Sequence, residues 1–181
     1  MNKYIYLLLA ILLGGTASAQ VVLRNSGKIN VATGGSLVIA GNYQNESQGG
    51  ITLDGTIAVS GNWTNNGSGV CIETPGANGE VIFNGTNQTI GGSASLFYFE
   101  KLTINSGSIT QVAPGKGVTT FGAATFTSPL VLKTSTTAYR PQMATFINKS
   151  TVSGNITMEL AYESTGSSSA GTGHALYFSS P

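Results

Sequence analysis

Leu37-Val38-Ile39-Ala40-Gly41-Asn42-Tyr43-Gln44-Asn45 is answered 20 residues later by Ile57-Ala58-Val59-Ser60-Gly61-Asn62-Trp63-Thr64-Asn65. Gly41/Gly61, Asn42/Asn62 and Asn45/Asn65 are identical. Leu37/Ile57, Ile39/Val59 and Tyr43/Trp63 agree in kind, and Gly35 and Gly55 precede the two copies at the same offset. A period of this size marks units that bury their apolar faces on one another. One such unit cannot stand alone. Its three or four inward side chains contribute about 1.5–3 kcal/mol each, whereas ordering its backbone costs about 1–2 kcal/mol per residue. Stacking closes that gap, because each coil then hydrogen-bonds above and below and shares a dry interior.

Outward from this pair, short apolar alternations recur: Ile29-Asn30-Val31, Ile51-Thr52-Leu53, Val81-Ile82-Phe83, Leu102-Thr103-Ile104 and Ile156-Thr157-Met158-Glu159-Leu160. Period-two alternation places one set of side chains inward and the other toward water. β-Branched residues suit a half-buried pleated surface. Between the alternations lie Gly34-Gly35, Gly49-Gly50, Asn65-Asn66-Gly67, Pro75-Gly76, Gly91-Gly92 and Pro114-Gly115, pairs that supply turns. No stretch after residue 20 has a sustained 3.6-residue apolar period, so no helix is expected there. A further resemblance, Ile51 to Thr56 with Val81 to Thr86, runs at an offset of 30, which a solenoid absorbs as loop insertion.

These features predict an all-β chain, a right-handed parallel β-solenoid (β-helix) over 20–118 with a β-rich terminal segment over 119–181, a cap or the start of a further module. The boundary rests on a rise in aromatics (Phe121, Phe126, Tyr139, Phe146, Tyr162, Tyr177, Phe178) and on Pro129 and Pro141. An antiparallel β-sandwich would also give short strands and frequent turns. The repeated asparagines allow two structural readings: amides paired from coil to coil, or residues that tolerate turn conformations.

Residues 1–19 read as a secretory signal peptide. Lys3 gives the positive start, Tyr4 to Leu13 the apolar run, and Ala17-Ser18-Ala19 the cleavage site. The run is too short for the ~20 apolar residues of a spanning helix, and no second span follows. The mature chain is therefore expected to be secreted or on the cell surface, without a membrane span. Charged residues are only 8% of the chain, against about 25% in an ordinary domain. Without Lys3 the chain has seven basic and seven acidic residues, so there is no footprint for nucleic acid. Cys71 is the sole cysteine and forms no internal disulfide. Between Val70 and Ile72 it reads as a small buried strand residue, with Glu73 placed to raise its pKa.

Acid–base catalysis needs paired carboxylates at a set distance. Glu46, Asp54, Glu73, Glu80, Glu100, Glu159 and Glu163 are scattered, and only Glu73 and Glu80 could meet across a turn. His174 is the only histidine, so a His-based metal site is excluded and a Ser-His-Asp triad would hang on that residue. No catalytic residue, metal ligand or cofactor is assigned. The candidate binding residues are Tyr43 and Trp63. Aromatic rings on an extended β face can stack on sugars, and residues at equivalent repeat positions can equally pack in the core.

Three segments, Gly61-Asn62-Trp63-Thr64-Asn65-Asn66-Gly67, Val81 to Gly92 and Phe97 to Asn105, together resemble the repeat-rich secreted surface proteins of Bacteroidota. Val152 to Glu159 and the ending Leu176-Tyr177-Phe178-Ser179-Ser180-Pro181 are similar to the same family. The resemblance covers roughly residues 28–181. It implies parallel β-solenoid regions of large cell-surface or adhesin-like products, many exported by the type IX system. The C-terminal sorting domain of that family is not visible, which implies a truncated member. The function expected is a non-catalytic surface protein, a stalk or contact segment, with glycans or other envelope proteins as partners. The alternatives are a carbohydrate-binding module built on Tyr43 and Trp63, and a polysaccharide-cleaving enzyme.

Overall fold

The computed structural model describes residues 22–73, 78–105, 107–133 and 143–159. Its strands follow one another with almost nothing between them but turns: β1 (Val22–Asn25), β2 (Lys28–Val31), β3 (Ser36–Ile39), β4 (Asn42–Asn45), β5 (Gly50–Leu53), β6 (Thr56–Val59), β7 (Trp63–Asn65), β8 (Glu80–Phe83), β9 (Gln88–Gly91), β10 (Leu96–Phe99), β11 (Lys101–Ile104), β12 (Thr110–Val112), β13 (Gly117–Thr120), β14 (Ala124–Lys133), β15 (Thr145–Asn148) and β16 (Val152–Glu159). The described residues contain no helix.

Every strand pairs in parallel with one a full coil away, and the chain winds into a β-solenoid of about six coils with three faces. One face carries β1, β4, β7, β9, β12 and the second halves of β14 and β16. A second carries β3, β6, β8, β11 and the first halves of β14 and β16. The third carries β2 and β5, extended by the Ile51–Ile72 bridge, and then β10, β13 and β15. The parallel register throughout leaves no place for the antiparallel sandwich.

The two matched segments, 37–45 and 57–65, lie on neighbouring layers. Leu37 pairs with Ile57 and Ile39 with Val59, and the Gly61 N–H donates to the Gly41 carbonyl at 2.7 Å. The match of two glycines has a steric cause. A Cβ on Gly61 would collide with the Gly41 backbone and the Asn42 side-chain oxygen, so the corner closes only without one.

Coil length is not constant. Ile57 pairs with Val81 at 24 residues and Trp63 with Ile90 at 27. The resemblance at offset 30 is not a structural equivalence. Ile51 bridges Ile72 on the third face, whereas Val81 stacks on Ile57 on the second. Similar short motifs recur on different faces because each face makes the same demand, an inward apolar pair.

The change of composition at Thr119 is likewise not a change of architecture. β13, which a boundary at 118 would cut, lies between β10 and β15, and β14 continues both other faces. β14 spans two faces because it shifts register between Phe126 and Leu130, around Pro129; proline cannot donate to the ladder, so it sits at the bend. The expected signal peptide and His174 lie outside the described residues.

The interior is a set of side-chain columns one coil apart. Ile39, Val59, Phe83, Ile104 and Phe126 form one; Tyr43, Trp63, Ile90, Val112 and Leu132 form another. All ten are buried. At about 1.5–3 kcal/mol per buried side chain, these columns are what each coil lacks by itself.

Candidate functional site

Tyr43 and Trp63 stand in the interior column, at 0% and 1% exposure. Their ring centroids are 4.4 Å apart, and Trp63 also packs on Phe83 at 6.3 Å and edge-on to Phe99 at 5.7 Å. A ring enclosed in this way has no face to offer a sugar, so these two residues are core rather than a binding platform. Strand parity decides it. Tyr43 alternates with Gln44, which points outward, and Trp63 with Thr64.

The same parity sends Asn25, Asn45 and Asn65 inward, at 5%, 1% and 0% exposure. They form an amide ladder. Asn25 Nδ2 donates to Asn45 Oδ1 at 3.1 Å, and Asn45 Nδ2 donates to Asn65 Oδ1 at 3.0 Å. The second amide hydrogens close the turns: Asn45 Nδ2 donates to the Gly49 carbonyl at 3.0 Å and Asn65 Nδ2 to the Gly69 carbonyl at 2.8 Å. Asn42 and Asn62 act differently. Their side-chain oxygens accept the main-chain N–H groups of Asn62 and Thr89 in the next coil. Both pairs therefore tie coil to coil.

Tyr43 Oη joins the ladder through Asn25 and Asn45 and lies 3.4 Å from Cys71 Sγ. Cys71 is buried and follows β7, next to the Ile72 bridge. Burial pushes its thiol up to about 12, with Glu73 adding in the same direction and the Tyr43 hydrogen bond opposing. Burial, with Cys71 beside it, drives the Tyr43 phenol far above its usual range. Neither group ionises near neutral pH, so the pair is structural.

Beside the ladder a recess of about 290 Å³ opens between the turns at 46–49 and 66–70, bordered by the Lys28–Glu73 ion pair. The ladder amide that lines it, Asn45, is already spent on Asn65 and the Gly49 carbonyl. The two carboxylates that could have met across a turn have separate partners, Glu73 with Lys28 and Glu80 with the Thr103 hydroxyl. Among the described residues, no three His, Cys, Asp or Glu side chains gather to hold a metal, and no helix is long and apolar enough to cross a membrane.

The surface that does offer aromatic and apolar groups is the outside of β10, β13 and β15. Register aligns Tyr98, Thr119 and Ile147 in one outward row, and Leu96, Gly117 and Thr145 in the next. Leu96 is 49% exposed and Ile147 55%. Tyr98 is half-buried and meets Phe121 edge-on at 5.6 Å. Lys149 Nζ sits 4.4 Å from the centre of the Phe121 ring. Sequence reasoning missed this row because Leu96-Phe97-Tyr98-Phe99 is apolar at every position. Alternation carries no signal there, and only the coil geometry turns Phe97 and Phe99 in and Leu96 and Tyr98 out.

Comparison with known proteins adds no further identification: no family model matches the chain, nor does any curated protein or solved structure.

Proposed function

We propose that this chain is a non-catalytic segment of an exported, adhesin-like cell-surface protein, serving as a stalk or contact piece. The observation that carries the reading is the coil-on-coil parallel stack, a rod whose length grows by about 4.8 Å per coil and whose flanks offer surface for contacts. Its polar surface of hydroxyls and amides supports the same reading, as does the resemblance of residues 61–105 to secreted surface proteins of Bacteroidota, from which export by the type IX system follows as part of the proposal. The leader-like residues 1–19 supply the export step.

The test is surface labelling of intact source cells with antibodies raised against residues 22–159. Labelling of intact cells that is abolished by external protease is the expected result. Labelling that appears only after lysis would overturn the proposal.

A further inference from the structure

The outward row on β10, β13 and β15 is a sheet face, not a sheet edge. β13 is paired on both sides, with β10 and with β15, and what the face itself presents to a ligand is side chains. Those side chains are of two kinds. Leu96, Tyr98, Phe121 and Ile147 give a flat apolar strip, with the Leu96 side chain lying over Gly117, where a Cβ would meet it at 3.0 Å. Lys116 and Lys149 flank the strip at its two ends, one just before β13 and the other just after β15. Five residues of strand separate the two ends, roughly 16 Å at about 3.3 Å per residue.

Both ammonium groups lie beside the strip with no carboxylate on them. Lys149 rests over Phe121, a contact that positions a cation without neutralising it. Lys116 reaches the Ser93 carbonyl at 3.5 Å. Among the described residues neither is paired with a carboxylate. Glu100, at the corner after β10, already has a partner, and Lys116 with Lys149 outnumbers it, so the balance of charge around the strip is positive.

We infer that this face binds an acidic polysaccharide, a chain of uronic-acid type, with its sugar rings laid along Tyr98 and the apolar strip and its carboxylates held by Lys149 and Lys116. Aromatic rings beside apolar rungs suit the flat faces of sugar rings, and the flanking cations select acidic sugars over neutral ones. The inference rests on the contact role proposed above and gives that role a ligand.

The probe is polygalacturonate, with uncharged dextran as its control, titrated into the purified chain at physiological salt. Polygalacturonate binds and dextran does not. Tyr98→Ala and Lys149→Gln each weaken binding roughly tenfold, whereas Arg24→Ala, which removes an exposed cation from the first coil, leaves it unchanged. Lys149→Gln leaves the Tyr98–Phe121 packing in place, and an unchanged melting curve for each variant shows that the fold is intact. No binding of polygalacturonate, equal binding of dextran, or an equal loss in Arg24→Ala would each overturn the inference. Since this titration needs no cells, its failure alongside positive surface labelling removes the ligand and leaves the contact role standing.

Discussion

Replacing Asn45 tests the amide ladder where it is most connected. Its side chain takes part in four hydrogen bonds: it accepts from Asn25 Nδ2 and Tyr43 Oη at 3.1 Å each, and donates to Asn65 Oδ1 and the Gly49 carbonyl at 3.0 Å each. In Asn45→Ala, Asn25 keeps Tyr43 Oη and the Gly50 carbonyl as acceptors, and Asn65 Oδ1 keeps the Gly67 N–H. The Gly49 carbonyl loses its amide donor. With each lost bond worth a net ~0.5–1.5 kcal/mol and some solvent access at the turn, the expected loss is about 2–4 kcal/mol. For a chain of this size that lowers Tm by roughly 4–16 °C.

Asn45→Asp is the sharper variant. It keeps the shape but sets an acceptor against Asn65 Oδ1 and buries a charge. Burial raises the carboxyl pKa above its unfolded value of about 3.9. The penalty is therefore full at neutral pH and shrinks as pH falls through the raised value, because a protonated carboxyl can again donate. Urea unfolding followed by the fluorescence of Trp63, the only tryptophan, measures both variants. An Asn45→Ala midpoint equivalent to less than about 0.5 kcal/mol of change would refute the ladder as a stabilising element.

Other outcomes follow from the same geometry. Trp63→Ala removes the ring that joins Tyr43, Phe83 and Phe99 and should cost about 3–5 kcal/mol, read as a shift of the urea midpoint by circular dichroism. Gly61→Ala should destabilise strongly, since its Cβ would strike the Gly41 backbone, whereas Gly27→Ala enters open space and should leave the melting temperature nearly unchanged. The Cys71 thiol ionises near 9 when unfolded but is pushed up to about 12 by burial, so the folded state holds its proton longer. Stability is unaffected below about pH 9 and falls as pH rises above it, the buried Tyr43 phenol adding in the same direction. Urea midpoints at pH 7.5 and 10.5 should therefore diverge, and Cys71→Ala should narrow the gap by on the order of 1–2 kcal/mol.

The fold was legible where coil length held constant. Two successive 20-residue coils put Leu37 over Ile57 and Tyr43 over Trp63, and the identical Gly and Asn positions sit at corners that one coil shares with the next. Beyond Asn65 the coils lengthen and the period dissolves, so that Val81 resembles Ile51 in sequence but stacks on Ile57. The rise in aromatics after Thr119 suggests a new module, although Phe126 and Phe146 only continue columns that already hold Phe83 and Phe97.

The candidate site was misplaced for a different reason. In Asn42-Tyr43-Gln44-Asn45 the inward pair is one aromatic and one amide, so the alternation that betrays a buried ring is hidden by a buried polar group. The four-residue apolar run at Leu96 concealed outward groups in the opposite way, by having no polar residue to mark the wet side.

Coil-on-coil stacking is tested most directly by pulsed electron–electron distance measurements in a Cys71→Ala background, between a spin label at Val38 and a second label at Thr103, Thr125 or Ser153. These positions follow one another in register along one outward row, through Ala58 and Ile82. At about 4.8 Å per coil the backbone separations should be roughly 14, 19 and 24 Å, rising in equal steps although the sequence gaps do not. Distances that fail to rise coil by coil, or that place Ser153 nearer to Val38 than Thr125 is, would contradict the solenoid.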